Sequence, residues 1–268
     1  MEYKLDMPLG DRMKSYEKDN ELYIDSQKHI CIRIDGHKFS KYTKGFKRPF
    51  DEVLKKSMVE TTKLLMAHFD SVTGYTQSDE ITLVIPSRHN ELRKEDYVHG
   101  FGGRVQKIAS LTASFASMSF NNELKKALDE YKVNHSEDVD YIEKIEEKVG
   151  NAWFDARVFS VESQEEALNA ILWRNRDASK NSISMFAYSY VSHSDVLAMD
   201  SNSRVDYVKE KTGHDWNNID DKFKYGTTIK KEQFLLVEDV VRTRFVELPL
   251  KWEFNSFFEK LILSKYHE

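Results

Sequence analysis

Arg33-Ile34-Asp35-Gly36-His37-Lys38-Phe39 and Tyr75-Thr76-Gln77-Ser78-Asp79-Glu80 carry the residue types that phosphoryl chemistry needs. Each follows an apolar, β-branched run that reads as a strand. Each therefore sets a carboxylate at a strand end. Asp35-Gly36 also turns the chain there, because glycine accepts backbone angles that other residues resist. Carboxylates on neighbouring strands can hold two Mg²⁺ ions, roughly 3.5–4 Å apart, against a nucleoside triphosphate. Mg²⁺ also takes main-chain carbonyls as ligands, and Gly36 has no side chain to block approach to its own. The amides of His37, Lys38 and Phe39 are expected to face the triphosphate as an anion nest. Taken singly, an Asp-Gly strand end and Ser78-Asp79-Glu80 each read as plain turns. Asp35 and Asp79 paired on adjacent strands point to nucleotidyl transfer.

The elements that must position this pair follow from periodicity. Residues 9–27 read as a charged helix. Ile30, Ile32 and Ile34 alternate with Cys31, Arg33 and Asp35, the period of a strand. Lys38, Lys41, Lys44, Lys47 and Arg48 crowd the loop that follows. Pro49 is expected near the start of a helix, where proline is tolerated, with Phe50, Val53, Leu54, Met58, Thr61, Leu65 and Phe69 on one face. Residues 71–77 and 80–86 read as two strands, the second apolar enough to be central and stopped by Pro86. A helix is predicted over 96–119, with Val98, Phe101, Val105, Ile108, Leu111, Phe115 and Met118 at helical spacing, then a helical and acidic stretch over 121–149 with a solvated face. Trp153 to Val161 is a fourth strand. Ser163 and Glu166 make a capping box for a helix that carries Trp173-Arg174-Asn175-Arg176-Asp177. After residue 192 come short elements, two strands at about 227–237 and 241–248, and an aromatic helix at about 252–265.

Strand, helix, strand, strand, helix, strand over 28–161 is a ferredoxin-like βαββαβ unit. The fold class is therefore α+β, an antiparallel palm-like sheet with helices on one face, as in polymerases and cyclases. Residues 1–162 are assigned to this palm and 163–268 to an extension packed on it as one compact unit. In that topology the end of the first strand and the turn before the third lie side by side.

The bulk properties narrow the setting. Of 268 residues, 40% are apolar, enough for a sizeable core, and 32% are charged. A formal net charge of −5 means that any nucleic-acid footprint is local rather than global. Cys31 is the only cysteine, so no intramolecular disulfide forms, which suits a reducing cytoplasm. The polar N-terminus carries no apolar signal segment, and no apolar run is long enough for a bilayer, so no membrane partner is expected.

RIDGHKF, YTQSDE, FDARV and WRNRDASKN together resemble the tRNA-His guanylyltransferase family of 3′–5′ polymerases over roughly residues 10–235. The resemblance implies a palm-like domain that adds nucleotides to the 5′ end of tRNA, with ATP, GTP and other nucleoside triphosphates as partners and two Mg²⁺ as cofactor. It implies Asp35, the Gly36 carbonyl and Asp79 as metal ligands and Glu80 as an acidic residue needed for activity. It places Gly36, His37, Lys38, Phe39 and Ser78 on the triphosphate, with Arg48 where the family commonly has a lysine, so a planar guanidinium replaces a point charge. A homotetramer is implied by the same analogy. One departure matters: the His-Ile-Asn-Asn motif of eukaryotic members is absent, with Ser179 in place of the histidine and only Asn181 of the two asparagines. This favours the branch of "like proteins" that repair truncated tRNAs with any templated nucleotide, over strict addition of one G to tRNA-His.

Secondary candidates for tRNA phosphates are Lys44, Lys47, Arg104, Lys107, Arg174 and Asn181. Lys222, Lys224, Lys230 and Lys231 are further candidates for the tRNA backbone. Asp155 and Arg157 are expected to form a structural ion pair or to edge the sheet, Trp173 to be core, His193 and His214 to lie at the surface, and Cys31 to be a core thiol. A strict guanylyltransferase, an RNA-binding palm relic without chemistry and a cyclase-type palm enzyme stay open as alternatives.

Overall fold

The computed structural model describes residues 7–90, 95–96, 98–235 and 241–267. A short helix, α1 (Leu9–Lys18), leads into β1 (His29–Gly36). The loop after β1 holds one helical turn, α2 (Phe39–Tyr42), before α3 (Glu52–His68). Asp51 starts α3 by accepting the Leu54 amide at 2.9 Å, satisfying one of the helix's free N–H groups. β2 (Thr73–Gln77) and β3 (Glu80–Ile85) form a hairpin, followed by the small pair β4 (His89–Asn90) and β5 (Glu95–Asp96). α4 (Val105–Asn134), α5 (Val139–Glu146) and β6 (Phe154–Val161) complete the predicted unit.

The second half adds α6 (Gln164–Tyr190), capped by the Ser163 hydroxyl accepting the Glu166 amide at 3.2 Å. Three shorter helices follow, α7 (His193–Val196), α8 (Ser201–Thr212) and α9 (Asp221–Lys224). β7 (Thr227–Leu235), β8 (Val241–Leu248) and α10 (Ser256–Leu263) close the chain.

The main sheet has six strands in the order β6-β1-β3-β2-β7-β8, with every neighbouring pair antiparallel. Its first four strands are the ferredoxin-like order, and β7 pairs directly with β2. Ile30, Ile32, Ile34, Ile81 and Leu83 point to one face and pack with Met58, Leu65, Phe120 and Leu124 of α3 and α4. Burying each such side chain contributes roughly 1.5–3 kcal/mol. Cys31, Tyr75 and Val84 point to the other face, under Leu168 and Ile171 of α6 and Leu261 and Ile262 of α10. Helices therefore cover both faces, not one, because the C-terminal half supplies the second layer. This alternation also orients the chemistry. A one-residue slip of β1 would turn Asp35 into the α3–α4 core, so the apolar isoleucines pin its direction.

Several boundaries differ from the periodic reading. α1 ends at Lys18, well short of 27. α3 starts at Glu52, which leaves Pro49 and Phe50 in the loop before it. One helix, α4, spans most of the two predicted ones, and Val98 and Phe101 lie before it, both exposed. The start of α4 is set by Gly103, whose carbonyl accepts the Ile24 amide at 2.9 Å and whose missing Cβ would lie 2.6 Å from the Ile24 carbonyl oxygen. The predicted strand over 227–237 ends at Leu235, and 236–237 lie outside the described residues. Trp173 is 51% exposed rather than core, held between the Arg33 and Arg174 guanidiniums at 5.3 and 4.6 Å from its ring centre. Cys31 is fully buried, and burial pushes its thiol up to about 12. Among the described residues, no helix is long and apolar enough to cross a membrane.

Candidate active site

Register brings the acidic residues together. Asp35 stands opposite Glu80 of β3 on one side and opposite Asp155 of β6 on the other, and Glu80 stands opposite Gln77 of β2. Residues directly across a ladder share a face. Asp155, Asp35, Glu80 and Gln77 thus form one polar row at the end of the sheet, on the α6 side. The β2–β3 turn closes over this row. Ser78 takes the left-handed conformation (φ 49°), and the Gly36 amide donates to the Asp79 carbonyl at 3.1 Å. Asp79 is thereby tied to the Asp35-Gly36 strand end. Burial raises the Asp79 carboxyl above its ordinary range, its own amide and the Ser78 hydroxyl oppose that, and the charge of Asp35 adds to it. Among the described residues, neither Asp35 nor Asp79 has an ion-pair partner. Asp155 was absent from the predicted site. Its sequence signal was the FDARV segment, whose register against β1 only pairing reveals. It lies 4.0 Å from Arg157 on the edge strand, as expected of that pair.

Glu80 is held differently. Arg174 grips it with two parallel hydrogen bonds, Nε to Oε1 and Nη2 to Oε2, the second at 2.8 Å. A third bond runs from Arg174 Nη1 to Asp177 at 2.7 Å. Burial raises the Glu80 carboxyl, and the guanidinium opposes that shift. Both side chains are nearly sealed, at 9% and 12% exposed. Arg174 is therefore a partner of Glu80 and not a free phosphate contact. The sequence could not show this, because 94 positions separate the two.

The loop after Asp35 is built on Phe39. Its ring is buried against Tyr42, Phe154 and Phe120, with centroids at 4.7, 5.0 and 5.6 Å. A Cβ on Gly36 would lie 2.3 Å from that ring, so only glycine fits beneath it. The Phe39 side chain is thus structural and cannot touch a nucleotide, leaving its amide as the group on offer. The His37 amide donates to the Trp153 carbonyl at 2.8 Å, which removes it from the predicted nest. Lys38 adopts the left-handed conformation (φ 54°), so the Lys38 and Phe39 amides open the first turn of α2. The side chains of His37 and Lys38 are exposed.

Comparison with known proteins decides the family. The sequence model of the Thg1 family, described as tRNAHis guanylyltransferase, matches residues 10–162. The chain belongs to the tRNA-His guanylyltransferase family. It is 32% identical to an uncharacterised protein of Acanthamoeba polyphaga mimivirus, across 97% of this chain and 91% of that one. A bacterial tRNA(His) guanylyltransferase (Thg1)-like protein solved with ATP superposes with a TM-score of 0.72 at 30% identity, over 90% of this chain and 92% of that one. A second such structure, solved with GTP, gives 0.69 at 29% identity, over 96% and 99%. Members of this family are nucleotidyltransferases, and the chain is a tRNA guanylyltransferase-like enzyme of that class.

In this guanylyltransferase-family fold, the remaining candidates separate. Arg48, Ser78 and Asn181 line one cleft of roughly 220 Å³ between the start of α3, the β2–β3 turn and the second half of α6. Lys47 lines it too, but its ammonium is held by Asp138 at 2.8 Å and by Tyr131. Lys44 is exposed on the same loop. Arg104 and Lys107 lie at the far end of the sheet. Arg104 bonds Glu21 and the Phe101 carbonyl, Lys107 stands over the Phe101 ring, and this corner joins the start of β1 through His99 and the Lys28 carbonyl. They take no part in the site. Lys230 is fully buried, donating to Thr73 Oγ1 and to the Leu261 and Ser264 carbonyls at 2.6–2.8 Å, so it cannot meet RNA. Lys224 is buried on Asn217 and Asp221, and Lys222 pairs with Glu52. Lys231 is half-buried over Phe245. His193 and His214 are exposed, the first tilted against Tyr188 and the second stacked on Tyr190.

Proposed function

We propose that this chain adds nucleotides in the 3′–5′ direction to the 5′ end of truncated tRNA, guided by the opposing strand, after activating the 5′ phosphate with ATP or GTP. The observation that carries the reading is the pair Asp35 and Asp79: two half-buried acidic residues whose backbones are tied by the Gly36 amide donating to the Asp79 carbonyl, with no ion-pair partner among the described residues. Burial first, and the charge of Asp35 last, raise the Asp79 carboxyl, and a divalent cation would offset both. Asp35, Asp79 and the Gly36 carbonyl would hold two Mg²⁺, which supply charge neutralisation at the triphosphate and lower the pKa of an attacking hydroxyl.

The protein's own groups do the rest. The Lys38 and Phe39 amides, the His37 and Lys38 side chains, the Ser78 hydroxyl and Arg48 orient the triphosphate. Glu80, fixed by Arg174, keeps a negative charge beside Asp35 in one geometry. Asn181 and Lys44 meet the RNA. Two structures of bacterial Thg1-like protein, solved with ATP and with GTP, support nucleotide binding. Ser179 in place of the motif histidine supports repair over single-G addition. A homotetramer in the cytoplasm completes the proposal; exposed Leu111 and Met118 on α4 and Phe257 on α10 are apolar surface for subunit contact.

The test is a nucleotide-addition assay with Mg²⁺ on 5′-truncated tRNAs of several identities. Templated addition to several of them is expected. Addition of one G to tRNA-His alone would overturn the repair reading. No addition at all would leave an RNA-binding relic, and full activity in Asp79→Ala would overturn the metal assignment.

A further inference from the structure

α4 leaves one long face uncovered. From Lys107 to Asp129 every third or fourth residue is exposed, a stripe roughly 33 Å long. Between Ile108 and Asn122 the helix carries no charged residue, in a chain that is 32% charged. The solvent face of a helix is ordinarily charged or polar. Charge is depleted instead at the core of a protein interface.

The shape of this face matches its neutrality. Met118 is 55% exposed and stands as a ridge between two hollows that it helps to line. One, of about 410 Å³, runs to Trp153, itself 69% exposed. The other, of about 520 Å³, runs to Leu64 and Phe115. Helices pack by setting ridges into grooves, and a surface that carries both can seat a copy of itself. The charges at the two ends agree. A second α4 laid antiparallel about Met118 sets Lys107 opposite Asp129 at both ends, runs the Lys125 stem along Leu111 and pairs Ser114 with Asn122. A parallel pairing would oppose Lys107 to Lys107 and Asp129 to Asp129. Among the described residues Lys107 has no ion-pair partner, and Asp129 has only Lys132 at 3.5 Å, which Glu146 also holds. With no Lys or Arg from 108 to 122, the centre of the face offers RNA phosphates nothing.

We propose that this face of α4 is a two-fold contact between copies of the chain, with the two helices antiparallel and Met118 at the axis. The inference gives the homotetramer of the reading above one of its contacts and rests on that self-association. The Trp153 carbonyl accepts the His37 amide, so the contact borders the loop assigned to the triphosphate.

Sedimentation velocity of the full chain, beside thermal melts that check folding, tests it. The unmodified chain is expected to sediment as an oligomer. Met118→Lys brings two ammonium groups together at the axis and is expected to weaken the contact by about 100-fold. Lys107→Asp is expected to weaken it by about 10-fold, and Lys107→Asp with Asp129→Lys to restore it. Cys31 is buried, so Met118→Cys supplies the one accessible thiol and is expected to give a covalent dimer under a copper oxidant. Leu111→Cys alone is expected to give none, because its two copies lie roughly 21 Å apart, beyond the reach of a disulfide. Unchanged mass in Met118→Lys, with no Met118→Cys dimer, would overturn the contact and leave the homotetramer to another surface. A Leu111→Cys dimer would overturn the antiparallel register. Unchanged mass with weakened tRNA binding in Met118→Lys would give the face to RNA and overturn the contact. A monomeric unmodified chain overturns the homotetramer itself, and this inference with it.

Discussion

At the scale of single residues, Asp79 carries opposed demands. Its folded carboxyl holds a proton more tightly than an unfolded aspartate, through burial and then the charge of Asp35. Stability from this group is therefore present at low pH and lost as pH rises through its raised pKa. Asp79→Asn is expected to raise Tm at neutral pH by about 1–3 °C, with the gain shrinking toward acidic pH, while nucleotide addition falls by about 10²- to 10³-fold. Scanning calorimetry beside the addition assay checks both, and a lower Tm for Asp79→Asn would contradict the charge argument. In the metal-free chain the same shift predicts that Mg²⁺ binding begins to weaken, on acidification, at a higher pH than an ordinary aspartate would allow. Arg174 and Glu80 obey a different logic, because they neutralise each other under cover. Arg174→Met leaves Glu80 buried and unpaired and is expected to cost about 3–5 kcal/mol, whereas Arg174→Met with Glu80→Gln recovers much of it. Urea unfolding of the three variants measures this coupling; additive losses would refute it.

At the scale of elements, β7 and α10 are joined by one side chain. Lys230 reaches from the sheet to the last carbonyls of α10, Leu261 and Ser264, and to Thr73 on β2. Lys230→Met orphans those carbonyls, with an expected loss of about 1–3 kcal/mol and no change in tRNA affinity. Denaturant midpoints and a filter-binding titration separate the two, and weakened RNA binding in a folded variant would restore it as a contact. The sequence could not expose this arrangement, since a lysine in a strand looks the same whether its ammonium meets water or three carbonyl and hydroxyl oxygens. What periodicity could show, it showed well. Ile30, Ile32 and Ile34 marked β1, the β2–β3 hairpin fell near its predicted limits, and Ser163 capped α6. Asp35 and Asp79 came together for the same reason, because topology follows from element order. Failures occurred where a distant contact decides. Gly103 against Ile24 moved the start of α4, and the Phe39 ring over Gly36 converted a proposed nucleotide contact into core. Trp173 was misassigned because the two guanidiniums that flank it lie on different elements.

At the scale of the whole molecule, a chain of net charge −5 that acts on tRNA must gather its attraction in one place. The basic loop between β1 and α3 is the place proposed for it, and its lysines are not equivalent. Lys47 is already neutralised by Asp138, whereas Lys44 is exposed with no ion-pair partner among the described residues. Each phosphate that a free lysine neutralises releases counterions and steepens the fall of affinity with salt, by about 0.7 per contact on a single strand and about 0.9 on B-form duplex DNA. Lys44→Ala is therefore expected to flatten the logarithmic salt slope of tRNA binding by about one such unit. Lys47→Ala is expected to leave the slope nearly unchanged and to lower stability instead, since Asp138 and Tyr131 lose their partner. Binding titrations across a salt series, paired with thermal melts, distinguish these outcomes. Equal slopes for Lys44→Ala and the unmodified protein would move the RNA path away from this loop, and would mean that the acidic surface is crossed somewhere other than beside Asp35.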